Sequence, residues 1–363
     1  MSTEYDLFIT KLFSQADKSF IPLSGAFELT PRCPLDCKMC YIHKRENDRE
    51  ALSLEKSTEW WLGIAEEARN AGMLMALITG GEPLLRPDFR EIYLGMRKLG
   101  LIVSVNTNGV LINSDTVRFF KEHPPKVINI SLYGASEETY EALCGSGEAF
   151  KKALNAIVSL NNAGVKVKIN LTANGYNRQD IEKIYTLANE LKIPIQPVSY
   201  MFPPVRVGGE ADRLPPEEAA EIQLQCRRLS MGEERLRALT KSSTDDITGA
   251  PPGECTDENG ERIPCRAGLS TFWITWDGKM TPCGMMNTPS AELSSFRKAW
   301  EKINKEREKI ILPAKCKNCN LRKYCDMCAA VAYAENGSFG EAPVYSCRKA
   351  AHYKMLCDTL AKT

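Results

Sequence analysis

The sequence predicts an α/β protein: a partial (β/α)6 TIM-type barrel followed by a small cysteine-rich domain. Three observations predict it. Between about residues 25 and 200, apolar runs of strand length alternate with helix-period segments that stop at glycine. Six such units occur, too few to close an eight-fold barrel. Further on, a hairpin signal and a crowd of cysteines replace the rhythm. The expected division is an N-terminal segment over 1–24, the barrel over 25–235, a linker over 236–264 and the cysteine-rich domain over 265–363.

Each unit has a local cause. Ala26–Thr30 is a short apolar-rich strand. Ser53 can cap a helix carrying Trp60, Trp61, Ile64 and Ala68, which stops near Gly72. Met73–Ile78 is a continuous apolar strand that runs into Gly80-Gly81. A helix over 88–99 ends at Gly100, and Ile102–Asn106 is β-rich. Asn113 can cap the next helix, and Val127–Leu132 is a strand. A helix over 149–163 ends at Gly164, Val165–Leu171 alternates as a strand, a helix covers 180–191, and Ile193–Val198 is the last strand. The loop MFPPVRVGG follows, then a helix after Pro215-Pro216, where proline suits the first turn. Residues 240–264 are polar and rich in turn formers. Thr271–Trp276 and Lys279–Pro282 flank Asp277-Gly278, a hairpin signal. A charged helix over 292–310 and a terminal helix enclose the cysteine cluster.

The 363 residues carry 47 Lys plus Arg against 46 Asp plus Glu, a formal charge of +1. This balance offers no electrostatic reason to bind nucleic acid or an anionic membrane. The N-terminal MSTEYDLFITKLFSQADKSF has no basic n-region and no uninterrupted apolar core, and the most apolar stretch is too short to span a bilayer. A cytoplasmic location, where thiols stay reduced, is therefore expected. The 14 cysteines then read as metal ligands rather than disulfides. Cys144, Cys226 and Cys357 stand alone and read as small buried hydrophobes.

Cys33, Cys37 and Cys40 form a CxxxCxxC triplet directly after the first predicted strand, where parallel sheets build active sites. Three thiolates hold three irons of a [4Fe–4S] cluster and leave the fourth open. This triplet, with Met39 and Tyr41 around its last cysteine, resembles the radical S-adenosylmethionine (SAM) family, and Gly80-Gly81-Glu82-Pro83 at the end of the second strand strengthens the resemblance. The resemblance covers about residues 25–200. It implies that SAM chelates the open iron, that the diglycine lets the backbone approach the methionine moiety, that Glu82 meets its ammonium, and that groups near Tyr41 hold adenine. Asn106, Ser131 and Asn170, with Asn108 and Thr172, are further candidates at strand ends for ribose and carboxylate contacts. Many peptide-acting members carry an arginine after the fourth strand; here the segment reads YEALCGSG.

Eight cysteines remain: Cys255, Cys265, Cys283, Cys316, Cys319, Cys325, Cys328 and Cys347. Their spacing resembles the SPASM extension, which binds two auxiliary [4Fe–4S] clusters. By that resemblance Cys255, Cys265, Cys283 and Cys328 hold one cluster, and Cys316, Cys319, Cys325 and Cys347 hold the other. CxxC-x5-CxxC alone is also compatible with zinc. Without Cys255 the first auxiliary cluster would keep an open iron.

The combined resemblance implies a maturase that abstracts hydrogen from a ribosomally made peptide and installs an oxidative modification or cross-link. One alternative is the anaerobic sulfatase-maturating enzyme, whose proposed base is an Asp after the cysteine where this chain has Gly284. Others are a small-molecule radical SAM dehydrogenase and a noncatalytic electron carrier. An electron donor such as flavodoxin or ferredoxin is expected. Because 32 residues precede Cys33, too few for a winged-helix leader-binding domain, a separate leader-binding protein or the main cavity would present the peptide. Trp273, Trp276 and the MFPPVR loop are candidate cavity walls, and no acid–base residue can be chosen.

Overall fold

The computed structural model describes residues 4–42, 44–203, 206, 212–241, 265–311 and 313–362. Eleven strands occur among them, in chain order: β1 (Ser24–Glu28), β2 (Arg32–Cys33), β3 (Lys44–Arg45), β4 (Met75–Thr79), β5 (Ile102–Thr107), β6 (Ile128–Ser131), β7 (Val167–Thr172), β8 (Ile195–Val198), β9 (Thr271–Ile274), β10 (Lys279–Thr281) and β11 (Ala291–Glu292). β1, β4, β5, β6, β7 and β8 are parallel and adjacent in that order, which is the expected partial barrel. Short β2 and β3 pair with each other beside the sheet.

Local chemistry sets the helices between the strands. The helix Thr58–Asn70 buries Trp61, Ile64, Ala65 and Ala68. Its cap is Ser57, whose hydroxyl accepts from the Trp60 N–H, and not the expected Ser53, which lies in a separate short helix, Arg49–Leu54. Both serines satisfy the capping rule; Glu55 and Lys56 break the helix between them. Asn113 caps Ser114–Glu122 as expected, accepting from the Thr116 N–H at 2.9 Å. Gly72, Gly100 and Gly164, each with positive φ, end helices before β4, β5 and β7. The inward faces of strands and helices form one large apolar core that includes Phe27, Trp61, Ile78, Tyr93, Val105, Ile130 and Ile169.

The segment expected as a linker begins inside a helix, Glu233–Lys241, which buries Leu236; the remaining residues to 264, Cys255 among them, lie outside the described residues. The Asp277-Gly278 hairpin forms, pairing Ile274 with Met280 and Trp273 with Thr281. β9 also pairs in parallel with β1, in register Ser24↔Thr271 to Phe27↔Ile274. The hairpin and β11, which pairs with β10, therefore extend the barrel sheet to nine strands. No helix among the described residues is long and apolar enough to cross a membrane.

Candidate functional site

The carboxyl ends of the parallel strands open on a cavity of about 340 Å³, within the usual range for small-molecule sites. Cys33, Cys37 and Cys40 line it, together with Tyr41, Gly80, Gly81, Asn106, Asn108, Ser131, Asn170 and Thr172. Residues from five different strand ends thus meet at one place.

The triplet loop is braced from several sides. Arg32 donates to Glu55 at 2.7 Å and to the Glu46 carbonyl at 2.7 Å. Asp36 N–H donates to the Cys144 carbonyl and Lys38 N–H to the Leu143 carbonyl, both at 3.0 Å, which straps the loop to the end of the helix Glu137–Cys144. Cys144 is fully buried, and its thiol is hydrogen-bonded with that of Cys37. The Cys33 sulfur accepts from the Leu35 N–H and the Asn108 amide, each at 3.4 Å. Burial pushes the Cys33 thiol up; the bond to Cys144, and then burial, push up Cys37.

Two expectations change. A Cβ on Gly80 would sit 2.5 Å from the Thr30 carbonyl oxygen, and one on Gly81 would sit 2.5 Å from that of Arg32. Gly81 N–H donates to Thr30 and Glu82 N–H to Arg32. The diglycine is thus required by the close approach of the triplet loop, before any ligand is considered. Glu82 does not line the cavity. It is fully buried and accepts from the Thr107 hydroxyl at 2.8 and 2.9 Å, the Asn108 N–H at 2.8 Å and the Leu84 N–H at 3.1 Å. Its oxygens are committed to holding the NTN turn, so the expected contact with an ammonium is replaced by a positioning role.

Burial pushes the Glu82 carboxyl up to about 7, against the pull of its donors. The folded chain then keeps a proton that the unfolded chain releases near pH 4.5. This contribution to stability is full below that pH and is lost as pH rises to about 7. Metal-free Glu82→Gln should lack that slope, a difference on the order of 3 kcal/mol between the ends of the window. Urea unfolding from pH 4.5 to 7.5 measures it, and parallel curves for both proteins would refute it.

The polar lining suits a zwitterionic nucleoside ligand. Asn129 donates its amide to Asn106 Oδ1 at 2.7 Å, which turns the Asn106 N–H groups away from that oxygen. The buried Asn129 Oδ1 has no hydrogen-bond partner among the described residues. Met39, Tyr133, Met201, Phe202 and Met285 complete the walls. Sequence reasoning missed Tyr133, although it lies two residues beyond Ser131 in SLYG.

Behind Tyr41 lies a second polar cluster that the sequence reading did not find. Glu28, fully buried at the end of β1, accepts from Arg206 at 2.8 and 2.9 Å and from the Trp273 indole N–H at 2.9 Å. Arg206 also donates to the Gly284 carbonyl at 2.7 Å and lies 5.2 Å above the Tyr41 ring. The available signal was a lone charge in the apolar run SGAFELT, which must find a partner when buried. Trp273 thus serves this network. A Cβ on Gly284 would sit 2.8 Å from the Trp273 ring, so no side chain fits after Cys283.

The C-terminal cysteines form two groups. Cys265 and Cys283 lie close enough to Cys328 to raise its thiol electrostatically, after burial, to about 12. All three pack on the small core of Met286, Ile310, Met327 and Ala330. Cys316, Cys319, Cys325 and Cys347 line a separate pocket. No three His, Cys, Asp or Glu side chains among the described residues converge on a point for a single ion.

Residues 27–188 match the sequence profile described as Radical SAM superfamily. That segment is a radical SAM domain. Its relatives include proteins named AdoMet-dependent heme synthase. That of Methanosarcina barkeri is 28% identical over 338 residues, 88% of this chain and 95% of the relative. That of Nitratidesulfovibrio vulgaris is 24% identical over 343 residues, 88% and 91%. Among solved structures, Streptococcus suis SuiB bound to S-adenosylmethionine superposes with TM-score 0.63 at 19% identity, covering 93% of this chain and 81% of that one. The structure of anSMEcpe with bound AdoMet gives 0.67 at 18%, covering 94% and 99%. These likenesses show a shared fold over both the barrel and the cysteine-rich region, and the radical SAM match implies one [4Fe–4S] cluster and SAM.

Proposed function

We propose that this radical SAM enzyme oxidises a peptide substrate, installing a modification or cross-link by hydrogen abstraction, and passes the surplus electron to its C-terminal thiolate sites. The observation that carries the reading is the position of those sites: Met285, two residues past Cys283, and Phe202, packed on the same small core, also line the triplet cavity. When bound, SAM and its cluster supply a 5′-deoxyadenosyl radical, the hydrogen abstractor. The chain's own groups do the rest. Cys33, Cys37 and Cys40 hold three irons; Asn106, Ser131 and Asn170 orient SAM beside Tyr41; Met201, Phe202 and Met285 exclude water.

In this reading Cys265, Cys283 and Cys328, with Cys255, hold the nearer auxiliary cluster and Cys316, Cys319, Cys325 and Cys347 the farther one. Both serve as the sink that an oxidation requires, and flavodoxin or ferredoxin supplies the priming electron. The peptide reading draws on the likeness to SuiB, also solved with its precursor peptide SuiA at TM-score 0.64 and 18% identity. Formylglycine formation fits less well, since the Trp273 ring fills the place a base after Cys283 would need. A second reading, oxidation of a heme precursor, is favoured by relatives that span nearly the whole chain.

The test is anaerobic reconstitution, iron counting and product analysis. About twelve irons and 5′-deoxyadenosine formation accelerated by a peptide encoded beside the gene, with a matching mass loss in that peptide, are the expected result. Turnover of a heme precursor with no response to peptides would select the second reading instead. About four irons would remove the auxiliary sites from the mechanism.

A further inference from the structure

The pocket of Cys316, Cys319, Cys325 and Cys347 contains one group that its thiols do not explain. Ser346 lines the pocket, is 3% exposed, and its hydroxyl has no hydrogen-bond partner among the described residues. A buried hydroxyl left unpaired costs about 1–3 kcal/mol, so its position calls for an acceptor inside the pocket. Apart from Arg322 and the cysteines, the lining is apolar: Leu321, Met327, Pro343 and Ala350. The side-chain acceptors in that lining are the sulfur atoms of the cysteines and Met327.

Charge points the same way. Ser346 and Cys347 lie in the first turn of the helix Val344–Lys362, so the positive helix end borders the pocket, as does the Arg322 guanidinium. A cubane with four thiolates is an anion that gains a further negative charge on reduction.

We propose that Ser346 is a positioning residue for a [4Fe–4S] cluster in this pocket, its hydroxyl donating to a cluster or cysteine sulfur and raising that cluster's reduction potential. The inference rests on the reading that these four cysteines hold iron. A donor to sulfur favours the more negative, reduced state, which is how outer hydrogen bonds tune such clusters. With Ser346 in place the farther cluster is the better electron acceptor, which suits the exit end of the chain of clusters.

The experiment uses the full chain carrying Cys33→Ala, Cys37→Ala and Cys40→Ala, so that only the auxiliary sites fill on anaerobic reconstitution with iron and sulfide. Redox titration with dithionite, followed by electron paramagnetic resonance, is run on this parent and on its Ser346→Ala and Ser346→Thr versions. The transition that disappears in Cys325→Ala should move to more negative potential in Ser346→Ala, return towards the parent in Ser346→Thr, and leave the other transition in place. Metal-free Ser346→Ala should melt no lower than its parent, because it loses only an unpaired hydroxyl. An unmoved potential at full iron content, or a clearly lower metal-free melting temperature, overturns the role of Ser346 and leaves the cluster standing. An iron count unchanged by Cys325→Ala and Cys347→Ala overturns the cluster reading itself.

Discussion

Replacing Cys33, Cys37 and Cys40 together by alanine lowers 5′-deoxyadenosine formation by more than about a thousandfold. The three thiols share one cavity with the strand-end polar groups, and in the proposed reading the radical chemistry belongs wholly to the group they would hold, so nothing else in the chain would supply the lost barrier reduction. Bound iron should fall by about four per chain while the C-terminal sites keep theirs. The loop itself should keep its place. It is tied down by backbone bonds from Asp36, Lys38, Gly81 and Glu82 and by the Arg32–Glu55 pair, none of which needs the thiols. Deoxyadenosine measured by chromatography after reconstitution, beside a melting curve, separates lost chemistry from lost structure. Cleavage at the parent rate would remove the triplet from the mechanism.

Arg206→Ala destabilises the metal-free protein by about 3–5 kcal/mol, the usual cost of removing one partner of a buried ion pair. Glu28 is wholly enclosed and Arg206 nearly so. Burial raises the Glu28 carboxyl, while Arg206 and the Trp273 N–H pull it back, so taking the guanidinium away leaves burial unopposed. The same change releases the Gly284 carbonyl and uncovers Tyr41. Glu28→Gln should cost less, since an amide still accepts from Trp273. The double variant should cost less than the sum of the two, which a double-mutant cycle in urea measures. Additive losses would mean that the pair is not coupled.

The parts of this molecule that could be read from its sequence are those with local causes. Helix stops at Gly72, Gly100 and Gly164 and the Asp277-Gly278 turn follow from positive φ that few residues adopt, and the cap at Asn113 from a short side chain that can accept from the helix N–H groups. The triplet was legible because its three cysteines fall within eight residues at the end of an apolar strand. What was not legible depends on neighbours far away in the chain. Glu28 and Arg206 lie 178 residues apart, and no periodicity links them. The diglycine was assigned to a ligand because the sequence does not reveal that Thr30 and Arg32 press on it. Glu82 was assigned to an ammonium because its donors, Thr107 and the Asn108 N–H, arrive from another strand. Cys144 is buried as expected, while the use of its backbone carbonyl to strap the triplet loop depends on distant residues.

The pairing of β9 with β1 has a consequence for how the protein is made. Strand β1 lies near the start of the chain, yet one of its two flanks is covered only by residues translated in the final quarter. Until then a nascent barrel carries a bare edge of amide and carbonyl groups beside a strongly apolar strand, the kind of surface on which chains adhere to one another. Closing that edge joins residues about two thirds of the chain apart, Ser24 with Thr271, a high-contact-order step that slows folding. The cysteine-rich end therefore acts as the barrel's own late-arriving shield, and cutting it away should leave an aggregating fragment instead of a smaller enzyme.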